Sequence, residues 1–427
     1  MQNFWQKFVN ALKDPILRKR IAFTVGILVL FRAMATIPIP GVDITALSRL
    51  LASNQFFSLF NIFSGGGLSN LSIVMLGVGP FITGSIVIQL LTMMFPKWKA
   101  LMHEEGDAGR MKLSQYSRLL AVPLSLVSAI GFIMLLQSQN VLPALTTGSL
   151  IFNAIIITAG SMLLMWLGEL ISEFGIGNGV SLIIFAGIVA SLPTNVIQAY
   201  QKIVSEGPAA IPVYIAILVV AVIVTAGVVY VTEAERSVPV TYAKQVRGNK
   251  VYGGASTYLP LRLNQAGVIP IIFALSILLF PQIIANFLSN VSNATIAGIA
   301  SSAVIFLNNQ LVYGIMYFVL VVAFTYFYTA VTFDPKMIAE NLQHSGAFIP
   351  GIRPGEYTQN HIANIVTRIT LVGALFLGTV AILPLIISAF SGGDRSIAIG
   401  GTALLIVVSV VLDLLKKIDA QVAMREY

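Results

Sequence analysis

The chain has 427 residues, of which 57% are hydrophobic and only 10% are charged, and its formal net charge is +8. A soluble domain usually carries about 25% charged residues, so this composition argues against a water-soluble enzyme, and its apolar content excludes a disordered chain. The composition predicts a protein that crosses a membrane many times. Since the chain contains no cysteine, disulfides, thiolate metal sites and cysteine nucleophiles are excluded.

Ten apolar runs follow one another along the chain, each long enough to cross a bilayer as a helix of about 20 residues. Because lipid offers the backbone no hydrogen-bond partner, runs of this length are predicted to be helices rather than strands of a barrel. The fold class is therefore predicted to be all-α and polytopic. The runs are Ile21–Ile37, Ser72–Met94, Leu119–Leu136, Leu150–Ile171, Val180–Ile197, Ile211–Val231, Gly267–Leu288, Leu311–Val331, Ile369–Phe390 and Ile397–Leu415.

The basic residues predict the orientation of these spans. With the N-terminus inside, the external loops contain only Arg49, Lys202 and Arg395, and all other lysines and arginines except Arg32 lie inside or at inner helix ends. Both termini are therefore predicted to be cytoplasmic, with the positive surplus facing anionic phospholipid. The apolar segment Ala294–Leu307 is short for a span, and counting it as one would move most later basic residues outside. It is predicted to be an external surface helix.

The predicted membrane interior carries few groups for chemistry. Its ionisable residues are Arg32, Glu169, Glu173, Arg368 and Asp413, and they form no proton chain or arginine ladder. No nucleotide-binding loop, zinc-protease helix motif or serine-hydrolase motif is found, which argues against an ATP-driven pump and an intramembrane protease. The histidines lack metal-ligand spacing, so no metal or cofactor is predicted; they are His103, His344 and His361.

Four segments depart from simple spans or short connections. Phe60–Asn70 reads FNIFSGGGLSN and contains three consecutive glycines, and Asn264–Phe280 begins with polar residues and contains a proline. Two long inner loops, Glu233–Arg262 and Asp334–Gln359, are rich in basic or turn-forming residues. The residues alone leave two interpretations of these segments open. The first is an ordinary loop, a common membrane-helix proline and two solvated connectors. The second is that they are moving and docking elements.

Together these stretches resemble the SecY family of protein-conducting channels, from about Ile16 to Tyr427. The resemblance rests on the order and spacing of these stretches together, since no single generic pattern is specific to the family. The matching stretches are IPIPGVD (37–43), NIFSGGGLS (61–69), GVGPFITGSIVIQLL (77–91), MWLGELISEFGIGNGVSLIIFAGI (165–188), YGGASTYLPLRLNQAGVIPIIFA (252–274) and SGAFIPGIRPGEYT (345–358).

The resemblance implies two pseudo-symmetric, inverted halves around a central hourglass pore. Spans one to five would form residues 21–197, spans six to ten residues 211–415, and residues 198–210 an external hinge. Residues 1–20 would be a cytoplasmic N-terminal segment and residues 416–427 a cytoplasmic tail. The inner loops 233–262 and 334–364 would be docking loops.

The resemblance also implies four groups of site residues. A ring of mainly isoleucine side chains would narrow the pore: Ile82, Ile86, Val180, Ile184, Ile272 and Ile406. A plug would fill the external funnel: Phe60, Asn61, Ile62, Phe63, Ser64, Gly65, Gly66, Gly67, Leu68, Ser69 and Asn70. A lateral gate between spans 2–3 and 7–8 would include Gln89, Thr92 and Asn264. SecA and the ribosome would dock on Arg353, Lys244, Arg247 and Lys250.

The function implied is a passive gated channel that moves unfolded secretory polypeptides across the bacterial plasma membrane and releases transmembrane segments sideways into lipid. The SecA ATPase or the translating ribosome would drive it, SecE and SecG would be its subunits, and SecDF and YidC further partners. Nascent chains with signal sequences would be its substrates. Two other classes stay open: a secondary transporter of small solutes, which would need ligands near the midplane, and a non-transporting insertase or scaffold.

Overall fold

The computed structural model describes residues 14–39, 61, 64–68, 70–95, 98, 106–138, 141–143, 146–207, 211–242, 245–247, 250–252, 256–288, 294–390 and 400–423. Helices dominate this part of the chain: α1 (Pro15–Met34), α2 (Gly79–Met94), α3 (Gly106–Ser138), α4 (Thr147–Phe174), α5 (Gly179–Glu206), α6 (Ile211–Glu233), α7 (Ile269–Leu288), α8 (Ala294–Asn308), α9 (Gln310–Thr332), α10 (Pro335–His344), α11 (Glu356–Phe390) and α12 (Gly400–Ala423). Five short strands are β1 (Glu235–Tyr242), β2 (Gln245–Arg247), β3 (Lys250–Tyr252), β4 (Ser256–Arg262) and β5 (Ala347–Phe348).

Each of the ten predicted apolar runs overlaps a described helix. By length and composition, six helices in the described part of the chain are able to cross a membrane: α3, α4, α5, α6, α9 and α11. The apolar parts of α2, α7 and α8 are shorter. Several helices also extend beyond their apolar runs, since polar helical turns outside the lipid carry no hydropathy signal. For example, α3 begins at Gly106 and α11 at Glu356, each 13 residues before the predicted run.

The second predicted run is only partly helical. It begins at Ser72, but α2 begins at Gly79, and Ser72–Val78 forms buried turns. The Ser161 hydroxyl of α4 donates to the Gly77 carbonyl at 2.8 Å, which satisfies one acceptor of this turn. Burial inside the protein selects the same apolar residues as burial in lipid, so hydropathy does not separate the turns from the helix.

One apolar cluster lies at the centre of the molecule and joins both predicted halves. It draws buried residues from α1, α2, α4, α5, α6, α7, α9, α11 and α12. A second cluster packs α3 and α4 against residues 68–76. A third packs the strands β1, β4 and β5 against α11. The first cluster therefore joins the two predicted halves, and a smaller fourth cluster also joins them, where Leu17 and Ile176 pack with Leu414 and Ile418.

The third cluster belongs to a β-structure that the sequence analysis did not predict. Strand β1 pairs antiparallel with β4 and with β5, and Val238 and Val240 alternate with exposed residues along β1. Because a strand exposes alternate residues, one face of this sheet packs on α11 and the other is solvated. The inner loops thus form a packed unit rather than loose connectors.

Helices α4 and α5 approach each other closely at two glycines, and this contact yields a stability prediction. A Cβ atom at Gly179 would overlap the carbonyl oxygen of Gly168. Gly179→Ala is therefore expected to lower the free energy of unfolding by about 1–3 kcal/mol, because backbone would have to shift. The measurement is the thermal unfolding midpoint in detergent. Gly148→Ala is the matched control on α4, since a Cβ there has no atom within 4 Å, and an equal effect of both changes would contradict this account.

Candidate functional site

The six residues of the predicted ring lie in one apolar cluster. Five are buried with exposed fractions of 7% or less, and Val180 is partly buried against the same cluster. The pairs on α2 and on α5 are each four residues apart, so each pair shares one helix face. Helix α7 contributes one residue and α12 another. The members are Ile82, Ile86, Val180, Ile184, Ile272 and Ile406.

This arrangement is apolar and has no hydrogen-bonding side chain among its six members. In general, an apolar constriction blocks ions by excluding water and offers a passing polypeptide no fixed hydrogen bonds. The chemistry of the cluster therefore suits a seal rather than a solute-binding site.

A cavity of about 340 Å³, lined by both apolar and polar residues, adjoins the cluster between α5, α7, α9 and α12. It begins one turn or less from the ring, since Ser181 follows Val180 and Ser409 lies three residues after Ile406. Its lining includes Asn178, Arg262, Asn264, Lys416 and Lys417. Sequence reasoning did not single out Ser409, whose buried hydroxyl oxygen has no hydrogen-bond partner.

Within the described part of the predicted plug, Ser64–Leu68 are buried and Asn61 and Asn70 are partly buried. This part consists of Asn61, Ser64, Gly65, Gly66, Gly67, Leu68 and Asn70, whereas Phe60, Ile62, Phe63 and Ser69 lie outside the described residues. The Ser64 hydroxyl accepts from the Leu68 amide at 3.0 Å and donates to the Asn61 carbonyl at 3.0 Å. The Ser72 amide donates to the Gly67 carbonyl at 2.8 Å. The segment is therefore a compact, internally bonded turn.

Two hydrogen bonds join the residues that follow this turn to residues 37–39, which follow α1. The Ile39 amide donates to the Leu71 carbonyl at 2.9 Å, and the Ile73 amide donates to the Ile37 carbonyl at 3.1 Å. Leu71 adopts a left-handed conformation with φ of 42°, which costs energy for a residue with a Cβ. Its side chain is 1% exposed, so burial in the second cluster holds the strained conformation in place.

Gly65 is the closest contact between this turn and the helices. It has φ of 65°, and a Cβ added to it would overlap the ring of Phe31 on α1. A Cβ added to Gly187 on α5 would overlap the Cα of Gly65. The carbonyl oxygen of Gly65 accepts a hydrogen bond from Nη1 of Arg32 at 3.3 Å. Sequence reasoning named Arg32 as an ionisable residue within a span, but it had no signal for its partner or for Gly187.

The predicted gate residues lie on two elements that touch. Gln89 and Thr92 are on α2, which packs against α7, and Asn264 precedes α7. Their hydrogen bonds stay local: Gln89 donates to the Ser85 hydroxyl at 3.3 Å, Thr92 to the Ile88 carbonyl at 2.8 Å, and Asn264 to the Gly267 carbonyl at 3.2 Å. The side-chain oxygens of Gln89 and Asn264 are buried without a partner. An interface that leaves acceptors unpaired is easier to separate than a fully bonded one.

The predicted docking residue Arg353 is exposed on a turn between β5 and α11. The Arg353 carbonyl accepts from the Thr358 hydroxyl at 2.9 Å, and the neighbouring Ile352 amide donates to the Ile349 carbonyl at 3.0 Å. Gly351 and Gly355 have φ of 83° and 94°, which tightens the turn on both sides. The backbone therefore holds the arginine at a defined place on the surface.

The other predicted docking residues are less fully described. Arg247 of β2 and Lys250 of β3 are paired at the end of a two-stranded hairpin, whereas Lys244 lies outside the described residues. Glu169, whose role the sequence left open, forms an ion pair with Arg118 at 2.6 Å between α4 and α3. No group of three histidine, aspartate or glutamate side chains suited to a metal ion occurs within the described ranges.

Comparison with known proteins gives one consistent result. The sequence model of the SecY family matches residues 72–415. The chain is 39% identical over 439 residues to the protein translocase subunit SecY of Mycobacterium tuberculosis strain H37Rv, with 98% of each chain covered. It is 40% identical over 438 residues to that of Staphylococcus aureus strain NCTC 8325, covering 99% of this chain and 98% of the relative. A solved structure of a protein-conducting channel has the same fold, with a TM-score of 0.67, 19% identity, and 96% and 94% of the two chains covered.

Proposed function

The chain belongs to the SecY family and is a translocation channel rather than an enzyme, and we propose that unfolded polypeptides cross it through the ring of Ile82, Ile86, Val180, Ile184, Ile272 and Ile406. The observation that carries this proposal is that the six side chains, from four helices, lie in a single apolar cluster. The cavity beside them would be the entrance to the constriction from one side. Family membership decides against the small-solute transporter that the sequence alone left open.

We propose that Phe60–Asn70 is the plug of this channel in its closed state. The burial of Ser64–Leu68 and the close fit of Gly65 against α1 and α5 support this assignment. A closed plug explains why so glycine-rich a segment is buried: glycine lets backbone approach backbone where a side chain would not fit.

We propose that α2 and α7 separate to open a lateral gate beside Gln89, Thr92 and Asn264. The choice between crossing and sideways release would then be thermodynamic. Ten leucine-like residues at about −0.5 kcal/mol each favour lipid by about 5 kcal/mol, whereas one central arginine costs about 3 kcal/mol. Apolar segments would leave through the gate, and polar segments would continue through the ring.

We propose that the unit formed by β1, β4, β5, α10 and the start of α11 is the docking surface for the SecA ATPase and the ribosome. The exposure of Arg353 on a rigid turn supports its role as the principal contact, together with Lys244, Arg247 and Lys250. The distribution of basic residues supports placement in the bacterial plasma membrane with both termini cytoplasmic. SecE and SecG would complete the channel, residues 198–210 would be the hinge between its halves, and secretory nascent chains would be its substrates.

Crosslinking of a stalled secretory nascent chain tests the pathway. The chain has no native cysteine, so Ile82→Cys, Ile184→Cys and Ile406→Cys each create a single thiol. A photo- or disulfide-reactive nascent chain is expected to crosslink to all three positions. Ile223→Cys on α6 is the matched control, because Ile223 is 64% exposed on the outer surface.

Crosslinking at Ile223 with none at the three ring positions would contradict the proposed pathway. The same result would favour an insertase or scaffold, in which polypeptides pass beside the helices rather than between them.

A further inference from the structure

Arg32 is a charged residue inside the otherwise apolar first span. It lies in the last turn of α1, next to Phe31, whose side chain is fully buried. Charged residues within a membrane-spanning helix are costly and are usually retained for a function. Within the described part of the chain, the ion pairs formed by lysine and arginine do not include Arg32.

The partner of Arg32 is a backbone carbonyl in the predicted plug. Nη1 of Arg32 donates to the oxygen of Gly65 at 3.3 Å, across 33 residues of sequence. Gly65 is also the point at which this segment fits against Phe31 and Gly187. The hydrogen bond is therefore made at the residue through which the plug contacts both α1 and α5. A small displacement of the plug would break this hydrogen bond and both contacts.

We propose that Arg32 is the positioning residue that holds the plug closed. This inference rests on the proposed function, since it requires Phe60–Asn70 to be a plug. A hydrogen bond from a charged donor contributes about ten- to a hundredfold to an equilibrium constant. Plug displacement breaks this bond. The Asn70 side-chain amide also ties the segment to the end of α1, since it donates to the Ala35 carbonyl at 3.3 Å. Arg32 is the charged donor of these two, so Arg32 biases the channel toward its closed state.

The test compares Arg32→Gln with the parent in proteoliposomes that contain the complete channel complex. The resting ion conductance is expected to rise about tenfold or more, because glutamine is neutral and shorter than arginine. Arg32→Lys keeps a charged donor inside the span, and the conductance of this variant is expected to lie between those of the parent and of Arg32→Gln. Arg118→Gln is the matched control, since it removes an arginine and the ion pair with Glu169 in the same half of the chain without touching the plug.

A second measurement reports plug position directly. The Ser72 side chain is fully buried, its hydroxyl has no hydrogen-bond partner, and it lies next to Gly67. Ser72→Cys therefore places a single buried thiol beside the plug. Labelling by an impermeant maleimide is expected to be slow in the parent, at least about tenfold faster with Arg32→Gln, and unchanged with Arg118→Gln.

The outcomes separate this inference from the function on which it rests. A plug deletion of residues 64–70 provides the reference for an unplugged channel. If the deletion raises conductance but both Arg32 variants behave as the parent, the role of Arg32 is overturned and the plug is retained. If Arg118→Gln has the same effect as Arg32→Gln, a specific role for Arg32 is also overturned. If the deletion itself leaves conductance unchanged, the plug proposal fails.

Discussion

Replacing Gly187 with alanine is expected to raise the resting ion conductance of the reconstituted channel by about tenfold or more, the equivalent of about 1.4 kcal/mol. The added methyl group would overlap the Cα atom of Gly65. Both atoms belong to main-chain positions, so no side-chain rotation relieves the contact. Helix α5 contributes many residues to the central cluster, whereas the plug is held by a few hydrogen bonds and by Leu68 in the second cluster, and the plug is therefore expected to move. Single-channel recordings or ion efflux from proteoliposomes measure the effect.

The control for this prediction is Gly26→Ala on α1, another glycine within a span, where a Cβ has no atom within 4 Å. It is expected to leave conductance at the parental level. Parental conductance in the Gly187→Ala protein, with maleimide labelling of Ser72→Cys also unchanged, would show that the plug does not depend on this contact. A fall in the thermal unfolding midpoint without a rise in conductance would indicate that helix α5, rather than the plug, shifts to relieve the overlap.

Replacing Arg353 with glutamate is expected to reduce SecA-driven translocation by about thirtyfold or more, the equivalent of about 2 kcal/mol at a docking contact. The contacts described for its turn do not use the exposed Arg353 side chain. The Ile352 amide donates to the Ile349 carbonyl, the Thr358 hydroxyl donates to the Arg353 carbonyl, and Gly351 and Gly355 supply the backbone geometry. The change therefore reverses a charge without disturbing the fold. The measurement is protease protection of a secretory substrate in proteoliposomes supplied with SecA and ATP.

Lys336→Glu is the matched control for Arg353→Glu. It makes the same change of charge on α10 of the same unit, where Lys336 is exposed and forms only a weak ion pair with Glu340 at 3.9 Å. It is expected to translocate as the parent does, and both proteins are expected to unfold at the parental temperature. Equal loss in the two variants would indicate a general electrostatic effect rather than a specific role of Arg353.

The limits of prediction from sequence are clearest at the second span. The run Ser72–Met94 was correctly predicted to contain a helix, but its first seven residues are buried turns. Residues buried by protein and residues buried by lipid have the same composition, so only contacts such as the bond from Ser161 to Gly77 separate them. The inner β-structure was missed for a related reason: Val238 and Val240 alternate over too few residues to stand out in a basic loop.

The sequence alone identified some of the site residues more completely than others. Each ring residue would be interpreted from its own neighbourhood as ordinary core packing, and the family resemblance was needed to select the five isoleucines and Val180. Arg32 was visible as a charge in an apolar run, but Gly65 was not visible as its partner. Every residue has a backbone carbonyl, so an acceptor of this kind leaves no trace in composition or spacing.

By itself, the sequence determined that the protein is a polytopic membrane helix bundle and which family it resembles, because hydropathy and motif order are properties of the chain. It also determined the positive-inside pattern of the loops. The tertiary structure alone decided that six separate side chains form one cluster, and that Gly65 lies between Phe31 and Gly187. Both are relations between surfaces distant in sequence, and they exist only once the helices have packed.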